Sequence, residues 1–239
     1  MAWLCIGTAT GIKVQKGSTS LGDYNYLEKP YCEKCSSPGF NTQNCILNCE
    51  SVLAKVYGFD RVYALGRYLS REKMPDDLLS KHIVYLKKGY RQYSEPLGSA
   101  LYLFVKNKNP QLSEADYVVP VPAHENAIER RGFNQTELIL DEYCGFSNQD
   151  SLLCLEKVKE SKFAKGKIGL VRRYELVKGM FRLKSSSFEK NIKGKYIILL
   201  DDVATSCAQS SECSQILINH GAKKVDVLIL GRNVLDGAI

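Results

Sequence analysis

Two adjacent carboxylates, Asp201 and Asp202, close the apolar run Tyr196-Ile197-Ile198-Leu199-Leu200 and are followed by Val203-Ala204-Thr205-Ser206-Cys207-Ala208-Gln209-Ser210. Acidic side chains at the carboxyl end of a buried strand stand where open α/β sheets bind their ligands. The hydroxyl-bearing loop after them leads into a helix N-terminus, whose free N–H groups and positive dipole end suit a phosphate. Carboxylates for a sugar diol beside N–H groups for a phosphate describe a pocket for ribose 5-phosphate. Simple capping of the next helix by Thr or Ser would explain one polar side chain and leave the second Asp without a reason.

A second group fits the same chemistry. Pro120-Val121-Pro122-Ala123-His124 is followed by Arg130-Arg131-Gly132-Phe133-Asn134-Gln135. Prolines stiffen the exit from a strand, two neighbouring guanidiniums can grip phosphate oxygens in bidentate fashion, and Gly132 allows a tight entry into the next helix. In isolation an Arg-Arg pair reads as solvated surface charge. Its company with the acidic pair favours anion binding. His124 carries no assigned chemistry.

The third group is Cys32-x2-Cys35 followed by Cys45-x3-Cys49, four thiols in two close pairs, the spacing with which a tetrahedral zinc ion is held. The segment around them has few large apolar side chains, so metal would supply folding free energy. Four protein ligands leave no open position, which makes this an expected structural site. Cys5, Cys144, Cys154, Cys207 and Cys213 are scattered and read as small buried apolar residues.

These groups need a scaffold. The strand at Tyr196–Leu200, a helix from about Ser210 to His220 closed by Gly221, and a strand over Val225–Leu230 form a βαβ unit, hence a parallel sheet covered by helices. Tyr117 to Pro122 reads as another buried strand. Asn134 is placed to cap a helix running to Tyr143, with Glu137 three residues on. Tyr57 to Arg71 and Asp76 to Val105 read as mainly helical, the second broken near Lys87-Lys88-Gly89-Tyr90. Residues 1 to 30 suggest a hairpin or an irregular arm. The resulting division is an N-terminal arm and cysteine segment over 1–50 and an α/β domain over 51–239, with a helical region at 57–105 and the α/β core at 115–239.

The 239 residues, 44% hydrophobic and 25% charged, suit a soluble globular chain. No apolar run approaches the roughly 20 residues that span a bilayer, and Met1–Ile6 lacks the features of a signal peptide, so no membrane partner and a cytoplasmic location are expected. The net charge of +7 is concentrated: residues 157 to 195 hold thirteen Lys or Arg against Glu160, Glu175 and Glu189. The remainder is slightly acidic, so an anionic partner is expected to meet that stretch.

The acidic segment resembles the phosphoribosyl pyrophosphate (PRPP) motif of type I phosphoribosyltransferases, an apolar strand, two acidic residues and then Thr-Thr-Gly-Ala-Thr or similar. Asp201, Asp202, Thr205, Ser206 and Ala208 match, while Cys207 replaces the usual Gly and Gln209 the usual Thr or Ser. The Pro-Val-Pro and Arg-Gly-Phe-Asn-Gln segments resemble the ComF family, a phosphoribosyltransferase-like competence family often carrying an N-terminal zinc cluster. Arg173 and Val177-Lys178-Gly179-Met180-Phe181 resemble a further element of that family, Arg-x-x-Asn-Val-x-Gly-Ala-Phe, with Leu176 at the Asn position.

The resemblance implies a Rossmann-like parallel sheet with flanking helices and a small zinc-binding segment, holding structural zinc and, with PRPP, magnesium. In it Asp201 and Asp202 contact ribose, residues 205–210 wrap the 5-phosphate, and Arg130, Arg131 and Arg173 meet pyrophosphate. The basic stretch falls where type I enzymes carry a closing loop, with Lys159, Lys162, Lys165 and Arg173 as its candidates. Two functions follow. One is transfer of ribose 5-phosphate from PRPP to an unidentified acceptor. The other is a weakly active or inactive relative that binds single-stranded DNA or acts in DNA uptake. At Cys207 a Cβ stands where the family has none, so backbone strain is expected there.

Overall fold

A computed structural model describes residues 24–37, 58–69, 77–160 and 170–233. Cys5, Cys45, Cys49, Lys162, Lys165 and most of the N-terminal arm lie outside these residues. In chain order the elements are β1 (Val62–Arg67), α1 (Leu78–Lys87), α2 (Ser94–Lys108), β2 (Tyr117–Pro120), α3 (Glu125–Arg131), α4 (Gln135–Ser147), β3 (Leu155–Lys157), α5 (Leu170–Val177), β4 (Phe181–Leu183), α6 (Glu189–Ile192), β5 (Tyr196–Ala204), α7 (Ala208–Asn219) and β6 (Lys224–Arg232).

The long strands form a four-stranded sheet in the order β1-β6-β5-β2, with every neighbouring pair parallel. Alternate residues supply two cores. Ile198, Leu200, Leu228 and Leu230 meet Leu79 and Ile83 of α1, Leu97 and Leu101 of α2 and Ile139 and Tyr143 of α4. Ile197, Leu199, Val227 and Ile229 meet Cys213 and Leu217 of α7 on the other face, together with Leu155 and Phe181 from the antiparallel β3-β4 pair. Helices thus cover both faces of a parallel sheet, the expected class, and the strands are apolar on both sides for that reason.

Several local expectations hold. Asn134 caps α4 by accepting from the Thr136 amide at 3.1 Å and donates to Glu137 at 3.0 Å. Helix α1 ends at Lys87, and a 3₁₀ turn over Arg91–Tyr93 precedes α2. Cys154, Cys207 and Cys213 are buried and Cys144 partly so.

The helical reading of 57–71 is corrected: Val62–Arg67 is a strand paired in parallel with β6, Val62 opposite Val227 and Arg67 opposite Arg232. A short strand buried on both faces shows no alternation, so periodicity does not separate it from a helical segment. β5 also runs past the acidic pair, with Val203 opposite Gly231 and Ala204 opposite Arg232.

Helices α2 and α4 cross at Gly98, where a Cβ would stand 2.4 Å from the Glu142 Cβ and 2.9 Å from the Tyr143 amide nitrogen. Helical backbone cannot yield there without separating the layer. Gly98→Ala is therefore expected to lower the unfolding free energy by about 1–3 kcal/mol, the usual cost of overpacking, measurable by urea denaturation.

Candidate functional site

Parallel pairing of β2 with β5 brings their carboxyl ends to one edge, with Pro120 opposite Leu200. A cavity of about 310 Å³ opens there. Val121–His124 forms one wall, Arg130 and Arg131 lie at the end of α3, Gln135 and Thr136 start α4, Asp201, Asp202 and Val203 form the floor, and Lys87, Lys157, Glu160 and Gln209 complete the lining. Four cations and three carboxylates thus face one small space.

The acidic pair is unsymmetrical. Asp202 is buried, and its carboxylate accepts from the Lys87 ammonium at 3.1 Å and the Gln135 amide at 3.1 Å. Gln135 in turn accepts from Arg131. Asp201 accepts from the Asp202 backbone amide at 2.8 Å. Burial and the charge of Asp202 push the Asp201 carboxyl up to about 7, against the pull of that amide, Lys87 and Lys157. Lys157 donates to Gln209 at 2.7 Å and stacks over Phe181; burial pulls its ammonium down, with Asp201 opposing.

Behind the floor, the chain turns from β5 into α7 through Thr205, Ser206 and Cys207. Cys207 occupies the N-cap position with φ 58° and ψ 16°, the left-handed region, and makes no side-chain cap. The strain expected from a Cβ at this position is present. The first amides of α7 have no capping side chain from Cys207 and keep the donor character that suits a phosphate. Burial pushes the Cys207 thiol up to about 12. Tyr174 of α5 donates to the Ser206 carbonyl at 2.8 Å and so tethers the loop to the basic stretch.

Of the residues singled out in the sequence, Arg130, Arg131, Asp201, Asp202 and Gln209 line the cavity. Thr205, Ser206, Cys207, Ala208 and Ser210 do not line it; Ser210 is buried and its hydroxyl has no hydrogen-bond partner among the described residues. Arg173 lies on α5, outside the lining. The basic stretch contributes less than expected: within it, among the described residues, Lys157 alone of the cations lines the cavity, while Lys178, Lys184, Lys190 and Lys193 are exposed elsewhere.

Lys87 and Gln135 were not assigned site roles by sequence reasoning. Lys87 is delivered by the end of α1, far away in the chain, and has no local signature. Gln135 carried a signal, since it ends the Arg-Gly-Phe-Asn-Gln segment. His124, half-buried, caps α3 by accepting from the Asn126 amide at 3.2 Å and lines the cavity.

Cys32 and Cys35 are both buried. Their turn is closed by Ser36 N–H to Cys32 carbonyl (2.8 Å) and Cys32 N–H to Ser37 carbonyl (3.0 Å). Cys45 and Cys49 fall outside the described residues, among which no group of three or more His, Cys, Asp or Glu could hold a metal. Among the described residues no helix is long and apolar enough to cross a membrane.

No family model matches the chain. Among solved structures, it is similar to the allosteric regulatory enzyme of purine biosynthesis, 18% identical with a TM-score of 0.38 over 59% of this chain and 26% of that one. It is also similar to glutamine PRPP amidotransferase from B. subtilis, 18% identical with a TM-score of 0.37 over 68% and 29%. The chain spans less than a third of either protein's length. Among curated proteins, DNA utilization protein YhgH of Escherichia coli O157:H7 is 24% identical over 87% of this chain and 86% of its own. Competence protein F of Haemophilus influenzae is 25% identical over 234 residues, 95% of this chain and 96% of its own. Along nearly the whole of both chains, this sequence is similar to Competence protein F, in keeping with the family its 120–122, 130–135 and 173–181 segments resemble.

Proposed function

We propose that the cavity binds PRPP and that the chain transfers its ribose 5-phosphate group to an acceptor. The observation that carries this reading is the convergence of Asp201 and Asp202, in the carboxyl-terminal half of β5, with Arg130, Arg131, Lys87 and Lys157 around one space of about 310 Å³ that Gln209 of α7 also lines. The carboxylates take the ribose hydroxyls, the 205–210 turn, which reaches the cavity through Gln209, takes the 5-phosphate at its margin, and the cations draw off charge as pyrophosphate leaves. In this reading the chain supplies positioning and charge stabilisation and needs no covalent nucleophile.

A divalent cation fits this donor set. Two adjacent carboxylates, one of them pushed up to about 7 by burial and by the charge of the other, offer hard oxygen ligands whose mutual repulsion a cation relieves. Asp201 and Asp202 would be the residues to hold magnesium, which would supply charge neutralisation for the departing pyrophosphate. Zinc is proposed separately for Cys32 and Cys35 with Cys45 and Cys49, in a structural role.

PRPP with magnesium is expected to raise the melting temperature saturably, while ribose alone does not. No shift at millimolar PRPP rejects the reading.

A second reading is favoured by the exposed cations at Lys178, Lys184, Lys190 and Lys193 and by relatives named for competence and DNA utilization. In it the basic surface binds single-stranded DNA. Such binding would weaken steeply with salt and would be lost when those lysines are neutralised.

A further inference from the structure

Arg232, the last residue of β6, is 1% exposed. Its Nε donates to the Cys35 carbonyl at 2.8 Å and its Nη2 to the Ser37 hydroxyl at 2.9 Å. Its Nη1 donates to the carbonyls of Ala204 at 2.7 Å, Asn233 at 3.1 Å and Thr205. One planar cation therefore grips the 32–37 turn on one side and, on the other, the chain leaving β5 for the phosphate loop.

A buried charge is tolerable only while its donors are satisfied. If the turn moved away, Nε and Nη2 would lose their acceptors, or the guanidinium would follow the turn and release Ala204 and Thr205. Either way the two segments are not independent. The turn has its own anchor on the sheet: Val62 N–H donates to the Lys34 carbonyl at 2.6 Å and the Ser36 hydroxyl to the Val62 carbonyl at 2.6 Å. The Ser37 hydroxyl also lies 3.1 Å from the Cys35 thiol, so hydrogen-bonding atoms run from that sulfur through Arg232 to the loop carbonyls.

We propose that Arg232 is a positioning residue for loop 204–207, and that through it the 32–37 turn sets how tightly the loop holds a sugar phosphate. The second half rests on the reading of that loop as a phosphate site. Arg232 does not line the cavity, so it acts through the Ala204 and Thr205 backbone. Lysine could not replace it, because a single ammonium lacks the planar fork that reaches both segments.

Hydrogen exchange on the full chain tests this, with ribose 5-phosphate as the probe. Ser37→Ala removes one grip on the turn and leaves the loop contacts of Arg232 in place. Without ligand, it is expected to speed exchange of the 204–207 amides about twofold to thirtyfold, the range of such couplings. Gly98→Ala, which lowers global stability through the opposite layer, serves as the control: any acceleration it causes is spread over the sheet amides and not confined to 204–207. Because coupling is reciprocal, ribose 5-phosphate should slow exchange at 32–37 in the wild type and do so less in Ser37→Ala. Arg232→Lys should reproduce the loss rather than rescue it.

Wild-type exchange at 204–207 in Ser37→Ala overturns the proposal, as does protection of 204–207 by ligand with none at 32–37. If ribose 5-phosphate protects neither segment while Ser37→Ala still speeds the loop, the positioning role of Arg232 stands and the phosphate reading falls.

Discussion

Replacing Asp201 and Asp202 together by alanine is expected to weaken PRPP binding at least about a hundredfold while leaving the sheet intact. A hydrogen bond to a charged group is worth about 1.5–3 kcal/mol, and losing two such acceptors costs about two or more orders of magnitude in affinity. The loss should come without unfolding, because the pair sits on the ligand-facing edge of β5 and both cores lie below it. Single Asp201→Asn should raise stability at pH 8, since it removes a charge that burial and Asp202 disfavour. Titration calorimetry and thermal melts on the same preparations separate the two effects.

The second large effect is on pH. Asp201 is pushed up to about 7 in the folded chain, well above its ordinary carboxylate range. Between that range and 7 the folded state holds a proton that the unfolded state has released. Stability therefore falls as pH rises through this window and levels off above 7. Binding runs the other way, because the ligand and its cation call for the ionised pair. Affinity for PRPP with magnesium is expected to rise from pH 6 to 8 with a midpoint near 7. Asp202→Asn removes the neighbouring charge and should move that midpoint downward. PRPP has its own ionisations, but they are common to both proteins, so the difference between the curves belongs to the pair. Superimposable curves would remove Asp201 from the account.

Much of this site was legible before the structure. The capped start of α4 and the apolar strand that carries the acidic pair are local patterns that the structure contains, although the strand continues through the pair to Ala204 and Arg130 and Arg131 end a helix, α3, that the sequence does not announce. What escaped depends on contacts distant in sequence. Lys87 reaches Asp202 because α1 packs on the sheet below it. Arg232 lies beyond the strand expected over Val225–Leu230, yet it ends β6, is buried and is bonded to Cys35 and Ser37 near the other end of the chain. β1 was misread as helix because its pairing with β6 exists only in three dimensions. The charge excess at 157–195 is a poor guide to position, since β3, β4, α5 and α6 spread it around the surface and, among the described residues, Lys157 alone of its cations lines the cavity.

Cys207 joins the two levels. Its difference from the family pattern was visible in sequence, and the structure shows the backbone in the left-handed conformation in which Gly is the usual residue. The loop shape is kept at the cost of strain, and it is held between Tyr174 and Arg232.

The most direct measurement is isothermal titration of the wild-type chain with PRPP and magnesium at pH 8, beside the Asp201→Ala, Asp202→Ala double variant. The account predicts saturable binding at one site per chain for the wild type and none for the variant under the same conditions. Absence of heat from the wild type at millimolar PRPP, or equal binding by both proteins, would contradict it.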